Sequence, residues 1–315
     1  MSIAVLRTVD SWWVRLDEHR ARKIGTTAQT TTDLLADRTA IEAALDSDGA
    51  TAEVEELSLV SPVTTPCRVV AQMTNYATHV RDSGMDPATV PLTFFRKASG
   101  SITGPQDEVI KPAHVGLLDY EVEIGLVIGE TIPLGTSFGQ GPGLPSQVAA
   151  LVITNDVSAR DVQLPKTQFY EAKSYPTFTP VGPVLLILED GDGERFVDLR
   201  LQLHVNGEVR QDSTVADMIY RPHEALACLT RFQHLDVGDL VLTGTPGGTA
   251  LKAPAKPLEI IGNLMPPALK WKTFFKRQAS NPKYLHNGDI IEASIGTADK
   301  VLDLGVQRNP VRYAK

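Results

Sequence analysis

Between Asp119 and Gly129 the chain reads Asp-Tyr-Glu-Val-Glu-Ile-Gly-Leu-Val-Ile-Gly, with carboxylates alternating with β-branched and apolar residues. A period of two predicts a strand. On a strand Glu121 and Glu123 share a face, roughly 7 Å apart. The same face turns apolar through Gly125 to Val127. A second run, from Val148, is nearly all apolar until it meets Asn155 and Asp156. It predicts either a buried strand or the end of an apolar helix leading into one, with Asp156 at the exit. Nearer the N-terminus, Ile3 to Val9 and Trp12 to Leu16 read as two short strands joined by Asp10-Ser11. Thr32 or Asp33 is placed to cap a helix running to about Leu45, with Leu34, Leu35, Ile41 and Leu45 near one face. The prolines Pro62 and Pro66 restrict the chain and mark a boundary. The expected organisation is a small α/β module over residues 1–64 and a larger, mainly β domain over 65–315.

Composition narrows the field. The chain has 315 residues, 42% of them hydrophobic, enough for one large core and a small appendage. The net charge of −8 argues against a nucleic-acid partner. The two cysteines, Cys67 and Cys228, predict no disulfide framework. The N-terminal stretch has no long apolar segment, and no apolar run reaches membrane-spanning length anywhere. A cytoplasmic protein with no membrane partner is expected.

The acids carry the chemistry. Two carboxylates side by side at the end of a buried face repel each other, and a cation or a proton must neutralise them. A lone Glu-x-Glu is ordinarily a solvated face. Asp156, a third acid at the end of a buried run, changes that balance. Oxygen-only ligands favour a hard cation such as Mg²⁺ or Mn²⁺, with positions left open for substrate and water.

These residues fall within a series of blocks. The series starts with Asn75-Tyr76-x-x-His79, Phe94-Phe95-Arg96-Lys97 and Asp119-Tyr120-Glu121-Val122-Glu123. Asn155-Asp156-Val157-Ser158-Ala159-Arg160-Asp161-Val162-Gln163 comes next, then Lys173-Ser174 and, four residues on, Thr179-Pro180-Val181-Gly182-Pro183. The last three are Val205-Asn206-Gly207-Glu208, Thr243-Gly244-Thr245-Pro246-Gly247-Gly248 and Leu285-His286-Asn287-Gly288-Asp289. In this order the chain, over about residues 65–305, resembles the fumarylacetoacetate hydrolase family. The resemblance implies an α+β, mainly β fold: a core of mixed sheets rolled into a barrel-like sandwich. It implies a homodimer and one Mg²⁺ or Mn²⁺ per site, held by Glu121, Glu123 and Asp156. It places Arg160, Gln163, Lys173 and Thr245 where they touch substrate or order the site. It assigns Tyr76, His79 and the acid three residues later, Asp82, to a segment that closes over the substrate.

The implied reaction is hydrolysis of a C–C bond in a 1,3-diketone or 2,4-dioxo acid, acylpyruvate-like or fumarylacetoacetate-like. A metal polarises the carbonyls and a base activates water. His79 is the candidate base and Asp82, three residues on, its partner on one helix face. The family more often has Glu where this chain has Asp82. Lys173 is the candidate cation for an enolate or carboxylate. Arg160 is either a fork for a substrate carboxylate or a partner of Asp161 or Asp156. Decarboxylation or isomerisation of a 2-oxo diacid is the alternative enzyme reading, and a metal-dependent dicarboxylate-binding module the non-catalytic one.

One stretch departs from the family pattern. About residues 249–284 form a long insertion with Lys252, Lys256, Lys270, Lys272, Lys276, Arg277 and Lys283 against one acid, Glu259. It is either a solvated decoration, a basic rim at the substrate entrance or a dimer contact.

Overall fold

The computed structural model describes residues 2–166, 169–253 and 265–315, so Lys256 and Glu259 lie outside the described residues. Two β-sheets form the body. The larger runs in the order Thr51–Glu53, Arg20–Lys23, Ser11–Arg15, Ile3–Thr8, Leu185–Ile187, Val148–Asn155, Val122–Ile128, Leu240–Leu242, Val69–Met73 and Thr93–Lys97. The smaller runs Glu208–Thr214, Arg200–Val205, Ile290–Gly296, Asp303–Tyr313 and Val109–Lys111. Strand alternation explains how they pack. Val122, Ile124, Leu126 and Ile128 join one core cluster with Leu201, Leu203, Ile291 and Ile295 of the smaller sheet. Val127, Ala150, Val152 and Leu240 point the other way, into a second cluster capped by Leu34 and Ile41. The predicted mixed β-sandwich is therefore present, with both faces of the large sheet covered.

The first 64 residues do not make a core of their own, contrary to the expected module. Ile3–Thr8 pairs with Leu185–Ile187, and Ile3, Val5, Trp12 and Val14 share the second cluster with Val69, Val127 and Leu242. These short strands cannot cover two faces alone, and joining the sheet covers both. The predicted helix is two helices, Thr31–Ala36 and Arg38–Asp46. Thr30 is the cap, with Asp33 closing a capping box. The break falls at Asp37, whose backbone is non-helical and whose carboxylate accepts from the Thr26 hydroxyl at 2.5 Å. Aspartate in such a bond competes with helical backbone. Among the described residues no helix is long and apolar enough to cross a membrane.

Candidate active site

The acids meet because of strand register. Val122 pairs with Asn155 and Glu123 with Thr154 in an antiparallel ladder. One residue further, the Asp156 N–H donates to the Glu121 carbonyl at 2.8 Å. Residues opposite each other in such a pair share a face. Glu121, Glu123 and Asp156 therefore converge, with ligand oxygens all within 4.8 Å of one another. The three are at most 4% exposed. Asp156 ends a strand, so the alternative of an apolar helix is settled. Gly244 closes the site from the loop that follows the neighbouring strand Leu240–Leu242: its N–H donates to Glu123 Oε2 at 2.7 Å. Its φ of +85° and the 2.7 Å that would separate a Cβ from that of Asn75 both require glycine.

Buried acids need buried cations, and the structure supplies three. Arg160 donates from Nε to Asp119 at 2.8 Å, from one terminal nitrogen to Gln163 Oε1 at 2.9 Å and from the other to Glu121 at 2.5 Å. Lys173 bridges Glu121, at 2.6 Å, and Asp156. Lys97 donates to the second oxygen of Asp156 and to the Phe178 carbonyl at 2.9 Å. Four buried acids, Asp119, Glu121, Glu123 and Asp156, thus face three buried cations, Lys97, Arg160 and Lys173. The uncompensated charge falls on Glu123, which has one backbone donor. Burial and the neighbouring Asp156 and Glu121 hold its carboxyl well above the ordinary range. Burial acts on Glu121 in the same direction, but Arg160 and Lys173 outweigh it and hold that carboxyl low.

Lys97 and Asp119 were quoted in the sequence blocks without a role. Asp119 also accepts from the Ala250 and Leu251 N–H groups, at 2.9 and 3.1 Å. It thereby ties Arg160 to the loop that follows Thr245. A lysine closing a strand gives no signal of its own; only the fold shows what it meets. Arg160 is paired with Asp119 and Glu121 rather than Asp161 or Asp156. Three of its five N–H groups have partners among the described residues. Thr245 donates to the Val122 carbonyl at 2.9 Å and accepts from Gln211 at 2.8 Å, so it orders the floor.

The His79–Asp82 pair does not form. Both lie on the helix Ala77–Asp82, but Asp82 accepts from the Gly248 N–H at 3.1 Å and from Lys252 at 3.2 Å. His79 Nδ1 is buried without a partner. The aspartate closes the helix and its short side chain turns outward to the Gly248 turn. Burial lowers the His79 pKa, so the imidazole is neutral. Tyr76, assigned by the resemblance to the segment that closes over the substrate, is fully buried behind the cavity lining. Asp82→Asn is expected to keep the Gly248 contact and lose only the exposed Lys252 pair. Its kcat should stay within about threefold of wild type; a loss beyond tenfold in steady-state assays would restore the dyad.

These side chains open on a cavity of about 740 Å³, lined by His79, Glu121, Glu123, Asp156, Arg160, Gln163, Lys173 and Thr245. The same cavity reaches the inserted helix Pro267–Gln278, through Lys270, Trp271, Phe274 and Arg277. Three converging carboxylates with one charge uncompensated fit a hard divalent cation.

Comparison with known proteins agrees with this geometry. Residues 68–312 match the family model for the C-terminal domain of fumarylacetoacetate (FAA) hydrolase. A mitochondrial oxaloacetate tautomerase from Bos taurus is 34% identical over 198 residues, 62% of this chain and 61% of that one. The chain thus spans about three-fifths of that relative's length. A 2,4-didehydro-3-deoxy-L-rhamnonate hydrolase from a Sphingomonas species is 37% identical over 217 residues, 66% of this chain and 73% of the other. Among solved structures, a probable 2-hydroxyhepta-2,4-diene-1,7-dioate isomerase from Mycobacterium abscessus superposes with a TM-score of 0.75 at 29% identity, covering all of both chains. A fumarylacetoacetate hydrolase from Exiguobacterium antarcticum gives 0.73 at 26% identity, covering 99% of this chain and all of the other. With sheet order, acidic triad and 245 matched residues (68 to 312) in accord, the chain belongs to the fumarylacetoacetate hydrolase family.

Proposed function

We propose that this protein is a divalent-metal-dependent hydrolase that cleaves a C–C bond in a 1,3-diketone or 2,4-dioxo acid, acylpyruvate-like or fumarylacetoacetate-like. The observation behind this reading is the convergence of three buried carboxylates and a neutral, buried histidine on one cavity. Mg²⁺ or Mn²⁺ held by Glu121, Glu123 and Asp156 would supply Lewis acidity to substrate carbonyls. His79 lines the cavity, and its imidazole would take the proton from water. Water adds to the acyl carbonyl, the C–C bond breaks, and the proton passes to the departing carbon, giving a carboxylic acid and, from an acylpyruvate, a 2-oxo acid. Lys173 brings positive charge to where negative charge develops. Arg160 and Lys97 hold Glu121 and Asp156 in place, and Gln163 keeps its amide N–H groups for a substrate oxygen. A homodimer, as the family resemblance implies, is part of this proposal.

A second reading, tautomerisation or decarboxylation of a 2-oxo diacid, is favoured by one finding: among the described residues no acid partners His79 Nδ1. Those reactions need no attacking water. Variant His79→Ala separates the two. Under hydrolysis kcat falls roughly 10²–10⁴-fold while calorimetry shows Mn²⁺ still bound. Unchanged hydrolysis would remove His79 from the mechanism.

A further inference from the structure

The cavity is much larger than its polar end needs. A four-carbon dicarboxylate fills a small part of 740 Å³, whereas pockets of roughly 300–1,000 Å³ take drug-sized ligands. Beyond the acids and cations the lining is mostly apolar, with Met85, Val90, Leu251, Met265, Trp271 and Phe274 beside Gln72, Thr74, Ser83 and Thr273. Two of these come from the inserted helix, where positions 270, 274 and 277 fall on one face. The helix has a different anchor. Phe275 packs on Leu117, Ala250 and Tyr284, Tyr284 donates to Gln278 at 3.2 Å and Asn281 to the Ala250 carbonyl at 2.9 Å. Trp271 and Phe274 pack on Phe275, with ring centroids 5.6 and 5.7 Å from it, but do not join that cluster themselves. They pack edge to face with ring centroids 5.9 Å apart, half-buried at the cavity wall.

We propose that Trp271 and Phe274 form an acyl-group subsite, and that the substrate is a 2-oxo acid carrying an apolar group the size of a phenyl ring or larger. This rests on the dioxo-acid reading for the reaction but not for the binding. Burying a ring there should strengthen binding roughly 10–100-fold over a methyl group.

The test uses the full-length protein loaded with Mg²⁺. Calorimetry should show phenylpyruvate binding at least tenfold tighter than pyruvate. The double variant Trp271→Ala/Phe274→Ala should lose that preference while its affinity for pyruvate stays within about twofold. Phe274→Lys, a single change at a half-buried position, should weaken phenylpyruvate and spare pyruvate if the double variant folds poorly. Benzoylpyruvate should likewise be cleaved with a higher kcat/KM than acetylpyruvate in wild type alone. Equal affinity for the two acids in wild type, or equal weakening of both in the variants, overturns the subsite. A kept binding preference with no cleavage of either dioxo acid leaves the subsite standing and removes the hydrolase reading instead.

Discussion

Glu123→Ala is expected to abolish tight binding of the divalent cation and to lower activity on the order of 10³-fold or more. It removes one of three ligands, where loss of a group merely supporting a ligand already costs roughly 10–100-fold. Glu123→Gln isolates charge from shape. It should lose the metal equally, yet the metal-free protein should become more stable. Four acids against three cations become three against three, and the carboxyl removed is the one held above its ordinary range. The sign of the pH dependence follows. A carboxyl whose pKa is raised by folding binds its proton more tightly in the folded chain. Its contribution is fully present at low pH and is lost as pH rises from the ordinary carboxyl range through the raised value. Metal-free wild type should therefore lose thermal stability over that window relative to Glu123→Gln. Cation affinity should rise over the same window, because binding displaces a proton. Parallel pH profiles for the two proteins would show that Glu123 is ionised throughout.

Arg160→Ala has the largest expected cost to the fold. It leaves Asp119 and Glu121 buried, 0% and 4% exposed, without the cation that both contact. Breaking a buried pair from one side costs about 3–5 kcal/mol. In a chain of this size that is a fall in Tm of roughly 5–8 °C. Arg160→Lys should not restore it, because an ammonium cannot reach Asp119, Glu121 and Gln163 in three directions at once. Scanning calorimetry of the metal-free variants checks this; a loss below about 1 kcal/mol would mean that water or a neighbouring cation replaces the guanidinium.

The strands at the centre of the site were legible because their pattern is local. Alternation placed Glu121 and Glu123 on one face, and an apolar run stopped at Asp156. Their antiparallel pairing, which no single segment announces, brings the third acid across from Glu121. The features missed depend on contacts distant in sequence. Asp82 shares a helix with His79, but the Gly248 turn, more than 160 residues on, captures its carboxylate. Lys97 and Asp119 read as ordinary charges until Asp156 and Arg160 are placed beside them. The N-terminal strands read as a separate unit because the strand they join, Leu185–Ile187, lies far along the chain. The inserted helix was visible as a reversal of charge. That it lines the cavity came only from the fold.

Metal-dependent cleavage of a dioxo acid at the triad can be followed by NMR on benzoylpyruvate, with the protein first stripped by chelator, then reloaded with Mg²⁺ or Mn²⁺. Benzoate and pyruvate are expected in equal amounts from the loaded protein, with none above background from the stripped protein or from Glu123→Ala. Cleavage undiminished in excess chelator, or keto–enol exchange without either acid product, would contradict it.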